Sequence, residues 1–170
     1  KRLLQVQVQV GANAEGQAHI EAQYVEPVQL QVVCRRLWQQ LPRAVDVVTD
    51  EQLREFGDVD QALRSFYEES IAATVKKTGV DEEALRRWFD TQLITSAGTR
   101  GTVFQGESTS GGIPNTAVQV LEDDHHIVRA ELRHGSRWYE LTHDRFVAPI
   151  RESNAAWLKR AGTTQWRKRA

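Results

Sequence analysis

The stretch Ile127-Val128-Arg129-Ala130-Glu131-Leu132-Arg133-His134-Gly135-Ser136-Arg137-Trp138-Tyr139-Glu140-Leu141-Thr142 decides the reading of this chain. Two strand-like runs, 127–133 and 137–142, flank His134-Gly135-Ser136, where Gly135 can take the positive φ of a tight turn. The spacing predicts a β-hairpin. Just before it, Ile113-Pro114-Asn115 leads into a helix ending near Asp124, with Ala117, Val118 and Leu121 turned inward. A short strand is expected within 99–104, and 105–112 reads as a polar loop rich in glycine and serine.

Upstream of these elements, Asp58 is expected to cap a long helix reaching about Lys77. Its apolar side carries Leu63, Phe66, Tyr67, Ile71 and Val75. Gly79 closes that helix, and Asp81 caps another with Leu85, Trp88, Phe89 and Leu93 on one side. Downstream of the hairpin, a final helix from about Asp144 to Arg160 bears Phe146, Val147, Ile150 and Trp157. Helix, helix, short strand, helix and a two-stranded wing is the order of a winged-helix domain, with the 114–124 helix in the recognition position. The expected fold class is therefore mainly α with a small β component, a helical segment followed by a winged-helix domain with a two-stranded wing.

The first third is less regular. Residues 4–10 alternate apolar and polar with period two, which predicts a short strand, and 11–16 reads as a turn. Pro27 opens a helix over 28–41 because its missing N–H is harmless in a first turn. Leu30, Val33, Cys34, Leu37, Trp38 and Leu41 fall on one expected buried stripe, which makes Cys34 a core residue. Pro42 helps to end this helix, and Thr49 is expected to cap a short one through Phe56, stopped by Gly57.

Hydrophobic residues make up 40% of the 170 and charged residues 26%, the balance of a chain that folds around its own core. The single cysteine excludes an internal disulfide framework, and no apolar run reaches the ~20 residues of a membrane span. A cytoplasmic location is expected. The chain begins Lys1-Arg2 and contains no methionine, which suggests a piece of a longer polypeptide. Net charge is −1, against a general nucleic-acid footprint, although Lys159, Arg160, Arg167, Lys168 and Arg169 form a basic end without acids.

Candidate chemistry is sparse. The glycines of 106–112 are not followed by the Lys-Ser or Lys-Thr of a phosphate-binding loop, so no complete nucleotide site is expected. Adjacent His125 and His126 point in different directions and lack further ligands at zinc spacing; no metal site is expected. His19 and His134 fall in expected turns. His143-Asp144 has the doublet of HD phosphohydrolases without their other ligands, and no Gly-x-Ser-x-Gly elbow supports a hydrolase. No catalytic residue is assigned, and the segment is not expected to be an enzyme by itself. His143 stands out by position, at the junction of the second wing strand and the last helix, with Asp144 favourable at the positive helix end.

The run Trp138-Tyr139-Glu140-Leu141-Thr142-His143-Asp144-Arg145-Phe146-Val147-Ala148-Pro149-Ile150, with Ser153-Asn154 and Trp157, resembles the winged-helix signature of bacterial STAND-class signal-transduction NTPases. Tyr24–Trp38 resembles their helical lid, and Gly57-Asp58-Val59-Asp60 leading to Phe66-Tyr67 is also similar. The resemblance implies the C-terminal part of a helical lid over 1–48, a winged-helix domain over 49–160 and a basic tail or linker over 161–170. It implies a P-loop NTPase core upstream in the same polypeptide, with ADP or ATP and Mg bound only in that context, in a conflict- or stress-response switch that self-assembles on activation. By the same resemblance, His143 contacts the β-phosphate of ADP and holds the inactive state, although Thr142-His143 departs from the related Met-His pair. Pro27 would lie against the adenine, and Asp144 and Arg145 would support the His143 loop.

Two other functions compete. A winged-helix DNA-binding regulator needs basic side chains on the 114–124 helix, which has none and ends in Glu122-Asp123-Asp124; the wing does supply Arg129, Arg133 and Arg137. A protein-interaction module would use Trp138 and Trp166 as exposed anchors.

Overall fold

The computed structural model describes residues 5–7, 19–21, 27–40, 47, 49–52 and 58–169, with side chains characterised as far as Ala161. The fold is mainly helical with a small sheet component, as expected. The chain forms two compact units, Lys1–Leu63 and Arg64–Ala170, and the boundary falls inside a helix.

In the first unit, strand β1 (Gln5–Gln7) pairs antiparallel with β2 (His19–Glu21), Val6 opposite Ile20. The expected strand thus has a partner close in sequence, and His19 lies in a strand, not in a turn. Helix α1 (Pro27–Gln40) starts at Pro27, as its fixed φ favours. Its covered side differs from the expected stripe. Val32, Val33 and Leu37 are buried, whereas Leu30 is 50% exposed, Trp38 is 88% exposed and Cys34 is also on the surface. At roughly 100° per residue, the covered arc is turned from the Cys34 side towards Val32. Thr49 and Gln52 form a reciprocal capping box, each side chain accepting the other's backbone N–H at 3.3 and 2.9 Å. Leu41, Pro42, Phe56 and Gly57, named above, lie outside the described residues.

Helix α2 (Val59–Thr78) begins after Asp58, whose Oδ1 accepts the Gln61 N–H at 3.0 Å. In the second unit its inner face carries Tyr67 and Ile71, both fully buried, together with Ser70 and Thr74. Those hydroxyls are satisfied within the helix, Ser70 donating to the Phe66 carbonyl and Thr74 to that of Ser70, each at 2.7 Å. Helix α3 (Glu82–Trp88) is capped by Asp81 accepting from Ala84 N–H at 2.8 Å. A π-helical turn, Phe89–Leu93, follows it directly. The expected stripe of Leu85, Trp88, Phe89 and Leu93 is buried throughout.

Strand β3 (Thr102–Phe104) comes next, then a small hairpin of β4 (Thr109–Ser110), inside the 105–112 stretch expected to be loop, and β5 (Ile113–Pro114), at the residues expected to lead into the helix. Gly111 and Gly112 turn it, both at positive φ. Helix α4 (Asn115–Asp123) buries Ala117, Val118 and Leu121. Strands β6 (Val128–Arg133) and β7 (Ser136–Leu141) form the expected wing, in register from Val128 opposite Leu141 to Arg133 opposite Ser136. His134 (φ 50°) and Gly135 (φ 78°) make its two-residue turn, the handedness that matches the strand twist.

Strand β3 pairs with β7, not β6, giving the order β3-β7-β6 with Val103 opposite Tyr139. A 3-10 turn, Asp144–Phe146, leads into α5 (Val147–Arg169), so the helix runs through the segment read as a tail. Pro149 falls in the first turn of α5, where a missing donor costs nothing. Two helices, a strand, a third helix and a wing, with the first strand closing a three-stranded sheet, make up a winged-helix domain.

Candidate functional site

His143 sits where β7 ends and the 3-10 turn begins, with extended backbone (φ −151°, ψ 144°) and a half-buried side chain. Its own ring supplies the N-cap: Nδ1 accepts the Arg145 backbone N–H at 3.1 Å. Asp144, expected at the positive helix end, lies one residue further on, inside the turn. A ring nitrogen that accepts carries no proton, so in the neutral ring the proton resides on Nε2.

The turn is held from across the sheet by Arg100, just before β3. Its Nε donates to Asp144 Oδ1, and its Nη1 donates to the Leu141 carbonyl at 3.2 Å and to Glu140 Oε1 at 3.3 Å. Glu140 is only 9% exposed and also accepts from Arg129, whose Nε is 2.7 Å away, with Arg133 at 3.8 Å. Strand alternation puts Arg129, Glu131 and Arg133 of β6 alongside Trp138 and Glu140 of β7 on one sheet face. Arg133 completes its pairing with Glu131 at 2.9 Å.

A second cluster lies between α2, α3 and α5. Arg86, with 4% of its side chain exposed, forms a fork to Glu68 (2.7 and 3.2 Å), reaches Glu82 at 2.8 Å, and contacts Ser153 and Asn154 at 3.2 Å each. Ser153 also donates to Glu68, and the Tyr67 hydroxyl donates to Asn154 Oδ1 at 2.9 Å. Arg86 further stacks over the rings of Tyr67 and Trp157, at 5.7 and 5.4 Å. Burial works to raise the Glu68 carboxyl, but the hydrogen bonds from Arg86 and Ser153 outweigh it and hold the carboxyl below its ordinary value. Burial pushes the Tyr67 phenol far up. Next to this cluster, Asp90 on the π turn is pushed up by burial, and its Oδ1 has no hydrogen-bond partner. It opens on a cavity of about 70 Å³ between Asn154 and Trp157. Ser153, Asn154 and Trp157 therefore tie the last helix to the first two of the winged helix.

The recognition-position helix presents Thr116, Gln119 and Asp123 to a groove of about 500 Å³ shared with Lys77 and Asp124. Lys77 is paired with Asp124 at 2.7 Å, which lowers the Asp124 carboxyl. The wing arginines are committed to acids: Arg137 to Glu122 at 2.6 Å, Arg129 to Glu140, and Arg133 to Glu131. Glu122 also accepts the edge-strand N–H of Ala130 at 3.1 Å, tying helix to wing.

The two nucleotide candidates lie in different units, Pro27 exposed at the start of α1 in the first and His143 in the second. The structure brings His143, Asp144 and Arg145 into one turn. It adds Arg100, which nothing local in the sequence marks, since its partners are 40 to 44 residues away. His125 is half-buried, His126 exposed with φ 54° in the bend after α4, and His134 exposed in the wing turn. Among the described residues no group of His, Cys, Asp and Glu is placed to hold a metal ion. Trp138 is half-buried, its ring 5.4 Å from that of Phe104, and the Trp166 side chain lies outside the described residues. No helix among the described residues is long and apolar enough to cross a membrane.

Fold and turn together define a winged-helix module with an ordered histidine turn at the foot of its wing. No family model, curated protein or solved structure matches the chain.

Proposed function

We propose that this chain is the regulatory segment of a STAND-type NTPase switch, sensing the state of a nucleotide through His143 when joined to an upstream P-loop core. The observation that carries the reading is the His143 turn. The Arg145 N–H on Nδ1 gives the ring a defined orientation, and an imidazole N–H directed at a diphosphate makes a charge-assisted hydrogen bond. ADP, or ATP with Mg, would be bound by the core, and Pro27 would contribute at the adenine. The segment itself catalyses nothing in this reading. Its task is to favour the closed state through a contact that the open state lacks, a coupling of about 1–3 kcal/mol. The cytoplasmic setting of such switches and their self-assembly on activation belong to the same proposal.

The pairing of the wing arginines with Glu122, Glu131 and Glu140, beside an acidic recognition helix, favours this reading over DNA binding. A protein-interaction role would rest on Trp138 and Trp166; Trp138 is half-buried and packs against the exposed Phe104.

The test uses the polypeptide extended upstream, purified natively and then denatured to release bound nucleotide. ADP is expected in the wild type and is expected to be largely lost in His143→Ala. Equal ADP in both would remove His143 from the site. No nucleotide in either, with no P-loop upstream, would defeat the proposal.

A further inference from the structure

We infer that Arg100 is the positioning residue of the His143 turn. Its consequence for ADP rests on the nucleotide reading, whereas its geometry does not. Three acceptors converge on one guanidinium: the Leu141 carbonyl and Glu140 Oε1 on the strand side of His143, and Asp144 Oδ1 on the helix side. The histidine is thus bracketed by one rigid side chain. The base of Arg100 is itself fixed, because it bridges to Ile94 and the next residue, Gly101, donates its N–H to the Leu93 carbonyl at 2.8 Å. Glu140, anchored by Arg129, keeps the guanidinium from swinging away.

The contact to Asp144 alone would do little, since Asp144 is 71% exposed and such pairs are screened by water. The combination is different. A planar fork engages acceptors on both sides of one residue and restricts its backbone, which a lysine ammonium on a flexible stem cannot reproduce. The turn keeps its Arg145 N–H on His143 Nδ1 only while both ends stay in place, so Arg100 acts on nucleotide contact through His143 and touches no ligand.

Amide hydrogen exchange on the full chain tests this directly. In Arg100→Lys and Arg100→Ala the Arg145 amide is expected to exchange about tenfold faster, the size one charge-assisted bond sets, while the Tyr139 and Val118 amides keep their rates. An unchanged Arg145 rate, or an equal rise at all three amides, overturns the inference. Asp144→Asn removes only one of the three acceptors, at an exposed position, and is expected to speed Arg145 less than Arg100→Lys does; a rise as large as that of Arg100→Lys counts against the inference. In the core-bearing polypeptide, Arg100→Lys is expected to retain about tenfold less ADP. ADP lost on His143→Ala but kept in Arg100→Lys defeats the role of Arg100. ADP kept in both defeats the nucleotide reading, and the Arg145 exchange rate then judges Arg100 alone.

Discussion

Arg86 carries a charge almost entirely out of water, and the acids around it determine whether that is tolerable. Glu68 supplies two of its contacts, and removing that charge leaves a buried guanidinium under-compensated. Glu68→Gln is expected to cost about 2 kcal/mol at pH 7 by urea unfolding, below the full penalty for a buried pair because Glu68 is 38% exposed. The pH dependence has a definite sign. The Glu68 carboxyl lies below its ordinary 4.5 in the folded state, so its stabilisation is complete above 4.5 and fades as pH falls through the folded value. The difference between wild type and Glu68→Gln should therefore vanish in acid; a difference that persists there would mean that the lost contact is not ionic. In the sequence the helical period sets Arg86 beside the apolar stripe of Leu85, Phe89 and Leu93 without saying that it is covered, and sets Arg87 on the opposite side, where it is exposed and, among the described residues, ion-paired with Glu83. The distinction arises because α5 lies over one of them and not the other.

At the scale of elements, the local rules carried a long way. Asp58, Asp81 and Thr49 cap where a short acceptor precedes an amphipathic run, and the wing pairs about His134-Gly135. Caps and two-residue turns are chosen by residues within four positions, which is why they are legible. The β4–β5 hairpin was not. It is fastened by Asn115, whose Nδ2 donates to the Gly106 carbonyl at 2.9 Å and whose Oδ1 accepts from Ser110 at 2.8 Å. Those contacts fold a polar stretch back onto the start of α4, and composition does not record them. Gly111 has two reasons to be glycine: φ is 57°, and a Cβ there would meet Val103 Cγ2 at 2.8 Å and Trp88 Nε1 at 2.9 Å. Gly111→Ala is expected to lower stability by about 2 kcal/mol in thermal or urea unfolding, more than strain alone would give. A loss near zero would show that this hairpin is not packed against the core.

For the molecule as a whole, charge decides what the winged helix meets. The recognition-position helix ends in three acids, two of them paired internally with Lys77 and Arg137, and the wing arginines already have carboxylates. Since phosphate neutralisation dominates duplex affinity, the chain is expected to leave duplex DNA unshifted in gels at ~0.15 M salt. A shift that weakens steeply with added salt would move the DNA-binding function to the front. The sequence by itself determined the helix–helix–strand–helix–wing order, the caps and the wing turn, because each depends on neighbours within a few residues or on the period of burial. Only the tertiary structure decided the β3-β7-β6 pairing, the outward-facing Cys34 and Trp38, the Arg86 cluster and the Arg100 clamp on the His143 turn. Each of these depends on which surfaces meet across tens of residues, and hydrophobic periodicity says that a face is buried without saying what lies against it.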